Sequence, residues 1–188
     1  MPIISWPMSV ARSLAFQASL SQLAQLQRIP KDFVIMPNPL PVYNVDLRDL
    51  LLTADAGVAA KQVCWRYFAN GNSQDTVIAG DVDLSSPPRV LRISYGSPVW
   101  AALQVASTDH PQVPDMARLQ YEPRLLRVPG LYVEAYWMRM LSPTAPGADT
   151  GWVIPYHMFQ RQDSPATGAL STMTNFSVQL MRFAGSQL

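Results

Sequence analysis

The longest apolar stretch of the chain lies late, at Leu125–Leu141, and reads LLRVPGLYVEAYWMRML. It is rich in Val, Tyr and Trp, the residue types of strands. Pro129–Gly130 marks a kink or bulge within it. From Leu131 onward both alternating faces are apolar. One carries Tyr132, Glu134, Tyr136, Met138 and Met140; the other carries Leu131, Val133, Ala135, Trp137, Arg139 and Leu141. A strand coated on both sides belongs in the middle of a layered domain.

The remaining pattern predicts strands with short helices between them. Residues 1–8 are apolar with two prolines and read as an extended arm. Ser9 is placed to cap a helix running to about Arg28, with Phe16, Leu20 and Leu23 on one side and Val10 and Leu14 well round the cylinder. Pro30 stops it. Pro37, Pro39 and Pro41 then predict a rigid extended connector. Asp46 caps a short helix with a Leu47, Leu50, Leu51, Ala54 stripe, and Gly57 is expected to end it. Gln62–Phe68 alternates and returns as Thr76–Leu84, a hairpin whose turn begins at Asn70–Gly71. Arg89–Tyr95, Met116–Tyr121, Arg124–Val128 and Trp152–Phe159 are expected to be extended. Val99–Ala106 and Phe176–Phe183 fit a helix and a strand equally well. Strands clustered with short helices predict an α+β fold with a largely antiparallel sheet core and an N-terminal helical arm. The expected division is residues 1–29 as arm and helix, and 30–188 as the β-rich domain.

Composition changes this picture in one respect. Hydrophobic residues make up 48% of the 188 and charged residues only 14%, against roughly 25% charged in an average globular protein. Lysine occurs only at Lys31 and Lys61, and glutamate only at Glu122 and Glu134. Those two types normally coat exposed helices, so some surface is expected to be covered by a partner. The net charge is +1 and the arginines are scattered singly, which argues against nucleic acid as a partner. No segment approaches the ~20 apolar residues of a membrane span. No basic stretch precedes the apolar N-terminus, so it does not read as a signal peptide. One cysteine, Cys64, excludes an internal disulfide and a thiolate zinc site. A cytoplasmic protein is expected.

Candidate chemistry is sparse. Asp81 and Asp83 share a strand face, the geometry of a paired-carboxylate Mg²⁺ site, but no glycine-rich phosphate loop precedes them. The pattern reads as a solvated strand face. Cys64, His110, His157 and Asp109 permit a Cys–His constellation only on paper, since Cys64 lies in an apolar strand. Tyr95–Gly96–Ser97 lacks the second glycine of a nucleophile elbow, and Pro98 removes an N–H that an oxyanion hole would use. The sequence identifies no catalytic residue, and no metal site or cofactor is expected. Glu134 should meet Arg127, Arg124 or Arg92, and Arg139 an aspartate. The reading that follows is a non-catalytic protein–protein interaction or assembly subunit. It binds a protein partner or itself through Trp6, Phe16, Leu20 and Leu23, with residues 1–29 packed against that partner more than against the sheet. The alternative is a small-molecule-binding or hydrolytic α+β domain with a pocket near Tyr132, Glu134, Tyr136 and His157.

Overall fold

A computed structural model describes residues 6–26, 28–29, 31–71, 77–95, 120–141, 151–157 and 168–185. The Gly96–Ser97 turn, Val99–Ala106, His110, Met116–Leu119 and most of the Ser142–Gly151 turn lie outside them. The fold is α+β: among the described residues, nine strands form a mixed sheet, with four helices. Contacts group the chain into two compact units.

One unit takes in residues 5–41 and 63–103. It holds α1 (Val10–Gln25), β1 (Phe33–Ile35), most of β3 (Lys61–Gly71), β4 (Val77–Asp83) and β5 (Val90–Tyr95). The expected hairpin is present: β3 and β4 pair antiparallel from Cys64↔Asp83 to Asn70↔Val77, and β5 adds to β4 with a bulge between Asp81 and Val82. β1 pairs antiparallel with the far end of β3. Alternation in β3 aims Tyr67 and Ala69 at α1, where they meet Phe16, Leu20, Ala24, Ile78 and Val82. Gly80 makes this possible. A Cβ there would stand 2.3 Å from Phe16 Cε2, so only glycine leaves room for the ring. This corrects one expectation: α1 packs its Phe16–Leu20 face on the chain's own strands, with both side chains fully buried. The i, i+4 pair is a core stripe because the strand beneath supplies a matching groove.

The other unit takes in residues 42–62 and 104–188. It contains most of β2 (Leu40–Asn44), α2 (Leu47–Thr53), α3 (Ala56–Ala59), β6 (Tyr121–Val128), β7 (Val133–Met140), β8 (Gly151–His157), β9 (Ser171–Thr172) and α4 (Met173–Gly185). β2 runs parallel to β6; β6–β7, β7–β8 and β8–β9 are antiparallel. Pro129–Gly130 proves to be a reversal and not a kink. Pro129–Leu131 forms a 3₁₀ turn and Tyr132 takes a left-handed conformation at φ 53°, so Tyr121–Val128 and Val133–Met140 are the two arms of a hairpin. Pro123 sits inside β6, beyond the residues paired with β2, where its missing N–H costs little.

Asp46 caps α2 through Oδ1, which accepts from Arg48 N at 2.8 Å. The helix stops at Ala54, which is left-handed at φ 56°, and not at Gly57. Gly57 instead lies inside α3, which Asp55 caps. The ambiguous Phe176–Phe183 segment is helical. Phe176, Leu180 and Phe183 fall at i, i+4, i+7 and are buried against Trp137, Val133, Ala135, Leu126 and Val153. Ser177 Oγ donates to Met173 O and accepts from Ala56 N at 2.9 Å, tying α4 to the start of α3.

Candidate functional site

The predicted β7 residues do not form one cleft. Tyr132 precedes the strand, and its left-handed backbone leaves the ring largely exposed. Tyr136 is buried. Glu134 and His157 are opposite each other across β7 and β8, and His157 is exposed.

Glu134 belongs instead to a polar row read off the register. Asn44 on β2, Arg127 on β6, Glu134 on β7 and His157 on β8 are successive cross-strand partners. Arg127 Nε donates to Glu134 Oε1 at 2.9 Å, and the Tyr156 hydroxyl donates to Oε2 at 3.0 Å. Both carboxylate oxygens are thus engaged, and the group acts as a clamp joining three strands. Arg127 was the first partner expected from the sequence. Asn44 Oδ1 is buried without a hydrogen-bond partner. Sequence reading missed Asn44 and Tyr156, because only the register shows which residues of β2 and β8 stand beside Arg127 and Glu134.

A second cluster lies on the opposite face of β6 and β7. The Arg124 guanidinium sits 4.3 Å from the Tyr43 ring centroid and 4.9 Å from that of Trp137. Tyr43 and Trp137 meet edge-on at 5.7 Å. Arg124 also pairs with Glu122, two residues along the same strand and therefore on the same face. Arg139, expected to meet an aspartate, is exposed and stands opposite Glu122 in the register. Burial raises the Tyr43 phenol above its ordinary value, with Arg124 pulling the other way. The arrangement holds a cation in apolar surroundings by two rings and a carboxylate.

In the unit that contains α1, Arg66 and Asp81 form a buried pair. Arg66 Nε donates to Asp81 Oδ1 at 2.8 Å, and Arg92 Nε lies 3.5 Å from Oδ2. The three are cross-strand partners on β3, β4 and β5. Asp83 takes a separate role. Its Oδ1 accepts from Ser85 N, Ser85 Oγ and Arg89 N, and the backbone N–H of Arg89 is the leading cause that holds its carboxyl below the usual range. Two same-face aspartates thus serve an ion pair and a turn. No three His, Cys, Asp or Glu side chains come together among the described residues.

Trp6 meets Trp65 edge-on at 5.3 Å, and Leu23 is half-buried against the α1 core. With Phe16 and Leu20 buried, the large apolar side chains of α1 left exposed are Val10 and Leu14. Among the other exposed apolar side chains, Leu51 and Leu52 on α2 and Val58 on α3 are 61%, 78% and 66% exposed. Cys64 is buried and forms no disulfide. No described helix is long and apolar enough to cross a membrane.

Burial pushes the Tyr136 phenol well above its ordinary value of 10.0. The folded state therefore favours the protonated form. That contribution is fully present below pH 10.0 and is lost as the pH rises further, because the unfolded chain ionises first. Denaturant melts at about pH 8 and about pH 11 should show a smaller alkaline loss for Tyr136→Phe than for the wild type. Equal losses would remove Tyr136 as a cause.

The chain matches no protein-family model, no curated protein and no solved structure.

Proposed function

We propose that this chain is a non-catalytic protein–protein interaction or structural subunit of a larger assembly. The observation that carries the reading is the surface of α2 and α3. Single exposed leucines are ordinary, but Leu51, Leu52 and Val58 are all exposed within one short stretch of two consecutive helices. α2 has seven residues, buries Leu50 fully and packs Leu47 partly against the core, which leaves Leu51 and Leu52 facing solvent. A protein partner would remove them from water.

The ionisable groups support the same reading. Asp81, Glu134 and Glu122 are taken up by arginines, and Asp83 by a turn. Arg66, Arg124 and Arg127 are correspondingly engaged within the fold, which favours a protein partner over nucleic acid. A single cysteine outside any disulfide suits a reducing, cytoplasmic setting. The pocket reading ranks second, since Glu134 is already held by Arg127 and Tyr156 and Tyr136 is in the core.

The test uses the full-length chain in extracts of cells that produce it, under native conditions. Wild-type protein should elute in a complex larger than its own mass. The double variant Leu51→Glu/Leu52→Glu should elute at a smaller mass while keeping the wild-type circular dichroism spectrum. The reading fails if the wild type elutes as a lone chain, or if the variant elutes identically.

A further inference from the structure

We propose that the outer face of α1 is a self-association surface, on which α1 of a second copy lies antiparallel about a two-fold axis near Ala18. The inference rests on the interaction reading above and adds to it a second surface and its occupant.

The inner face of α1 is spent on the core through Phe16, Leu20 and Ala24. The outer face carries Ala11, Leu14, Ala18, Ser21 and Gln25, all exposed. Their spacing alternates three and four residues, which is the seam of paired helices. Ala11, Ala18 and Ser21 are small, so a second helix can approach closely. From Ser13 to Gln27 there is no charged residue. An ordinary solvated helix face carries charge; this one can meet its own copy with no like charges opposed. Arg12, just outside that run, donates Nε to the Asp83 carbonyl at 3.1 Å.

The two ends of this face complement each other. At the N-terminal end Met8, Val10 and Leu14 protrude, Val10 at 73% and Leu14 at 59% exposure. At the C-terminal end is an open cavity of about 430 Å³ lined by Ser21, Ala24, Gln25, Lys31 and Phe33. A two-fold at Ala18 sets Leu14 beside Gln22 of the second copy and Val10 beside Leu26. The protruding apolar end of each copy then lies over the cavity of the other. Contacts of this kind are isologous: what one copy gives, it also receives. The antiparallel pairing also sets each helix N-terminus beside the partner's C-terminus, the arrangement the macrodipoles favour. A helix of 16 residues is about 24 Å long. A contact of that length is small for a stable interface, so the dimer should dissociate on dilution.

Sedimentation of the full chain from ~1 to ~200 μM should show a monomer passing into a dimer. Leu14→Glu should weaken dimerisation at least tenfold and leave the melt of dilute protein unchanged, since Leu14 is exposed. Position 18 meets its own copy, so Ala18→Cys should give a disulfide dimer under a mild oxidant. Cys64 is buried and will not compete. Ala11→Cys should not cross-link, because the two sulfurs would be about 21 Å apart along the helices. A monomer at every concentration overturns the proposal, as does cross-linking of Ala18→Cys no faster than Ala11→Cys. Either result leaves the assembly reading standing if the α2–α3 variant still releases the chain from its native complex. If that variant changes nothing while Ala18→Cys cross-links, the α2–α3 surface fails and the α1 surface holds.

Discussion

Replacing Trp137 by alanine is expected to cost about 3–5 kcal/mol, the range for deleting a large buried aromatic side chain. Trp137 is fully buried on the α4-covered face of β7, with Val133 and Ala135 beside it and Phe176, Leu180 and Phe183 in the same cluster. Small Ala135 alternates with the indole, so no neighbour on the strand can swing into the vacated volume. The loss reaches beyond apolar area. The indole is one of two rings flanking the buried Arg124 guanidinium, and removing it leaves that cation less well enclosed. A typical domain is stable by about 5–15 kcal/mol, so the variant should be largely insoluble or melt far below wild type. Trp137→Phe keeps a ring over Arg124 and should lose clearly less. Trp6→Ala is the contrasting change, since Trp6 is only half-buried and meets Trp65 edge-on. It should fold and melt near wild type. A near-neutral Trp137→Ala in urea melts would show that β7 is not central to the core.

The second large effect is expected at Asp81. Asp81→Ala removes the carboxylate that neutralises Arg66, whose side chain is 2% exposed. The buried guanidinium would then lose the carboxylate that faces it, with Arg92 close by as a second cation. Breaking a buried pair from one side costs roughly 3–5 kcal/mol. The double change Arg66→Met/Asp81→Leu should recover most of this, because the pair's desolvation cost disappears together with its attraction. Denaturant melts of the two single variants and the double complete the cycle. Additive single-site losses would mean that Arg66 and Asp81 do not act as a unit, and that the short Nε–Oδ1 contact contributes little.

Much of the chain's local structure could be read from its sequence. The helix after Ser9, the β3–β4 hairpin, the strand at Val133–Met140 and the burial of Trp137 beside Val133 and Ala135 follow from period, and the Asp46 cap from capping chemistry, whereas the Ser9 side chain makes no capping hydrogen bond. These are consequences of near neighbours: alternation fixes a strand's faces, and a carboxylate two or three residues away finds an orphan N–H. Phe176–Phe183 could not be decided because a helical and an extended period fit the same apolar residues. α4 became a helix once the apolar face of the sheet offered Phe176, Leu180 and Phe183 a common surface.

The candidate sites were legible as residue types and not as groupings. Glu134's need for a cation was visible in its burial, and Arg127 was among the partners named. Tyr156 reached it, and Asn44 came to stand beside Arg127, through strand register, which spans more than a hundred residues of separation between Asn44 and His157 in the chain. Asp81 and Asp83 looked like one pair because period two puts them on one face. Arg66 on the neighbouring strand and the backbone of Ser85–Arg89 drew them into different roles. Phe16 and Leu20 showed an apolar stripe, and sequence cannot say whether such a stripe meets a partner or the chain itself. The bare Cα of Gly80 decided it, by leaving a groove that fits the Phe16 ring. Sequence thus determined which faces are apolar and where the elements begin. Tertiary structure decided what each face meets, because a side chain's neighbour across a sheet is set by register and packing, not by distance along the chain.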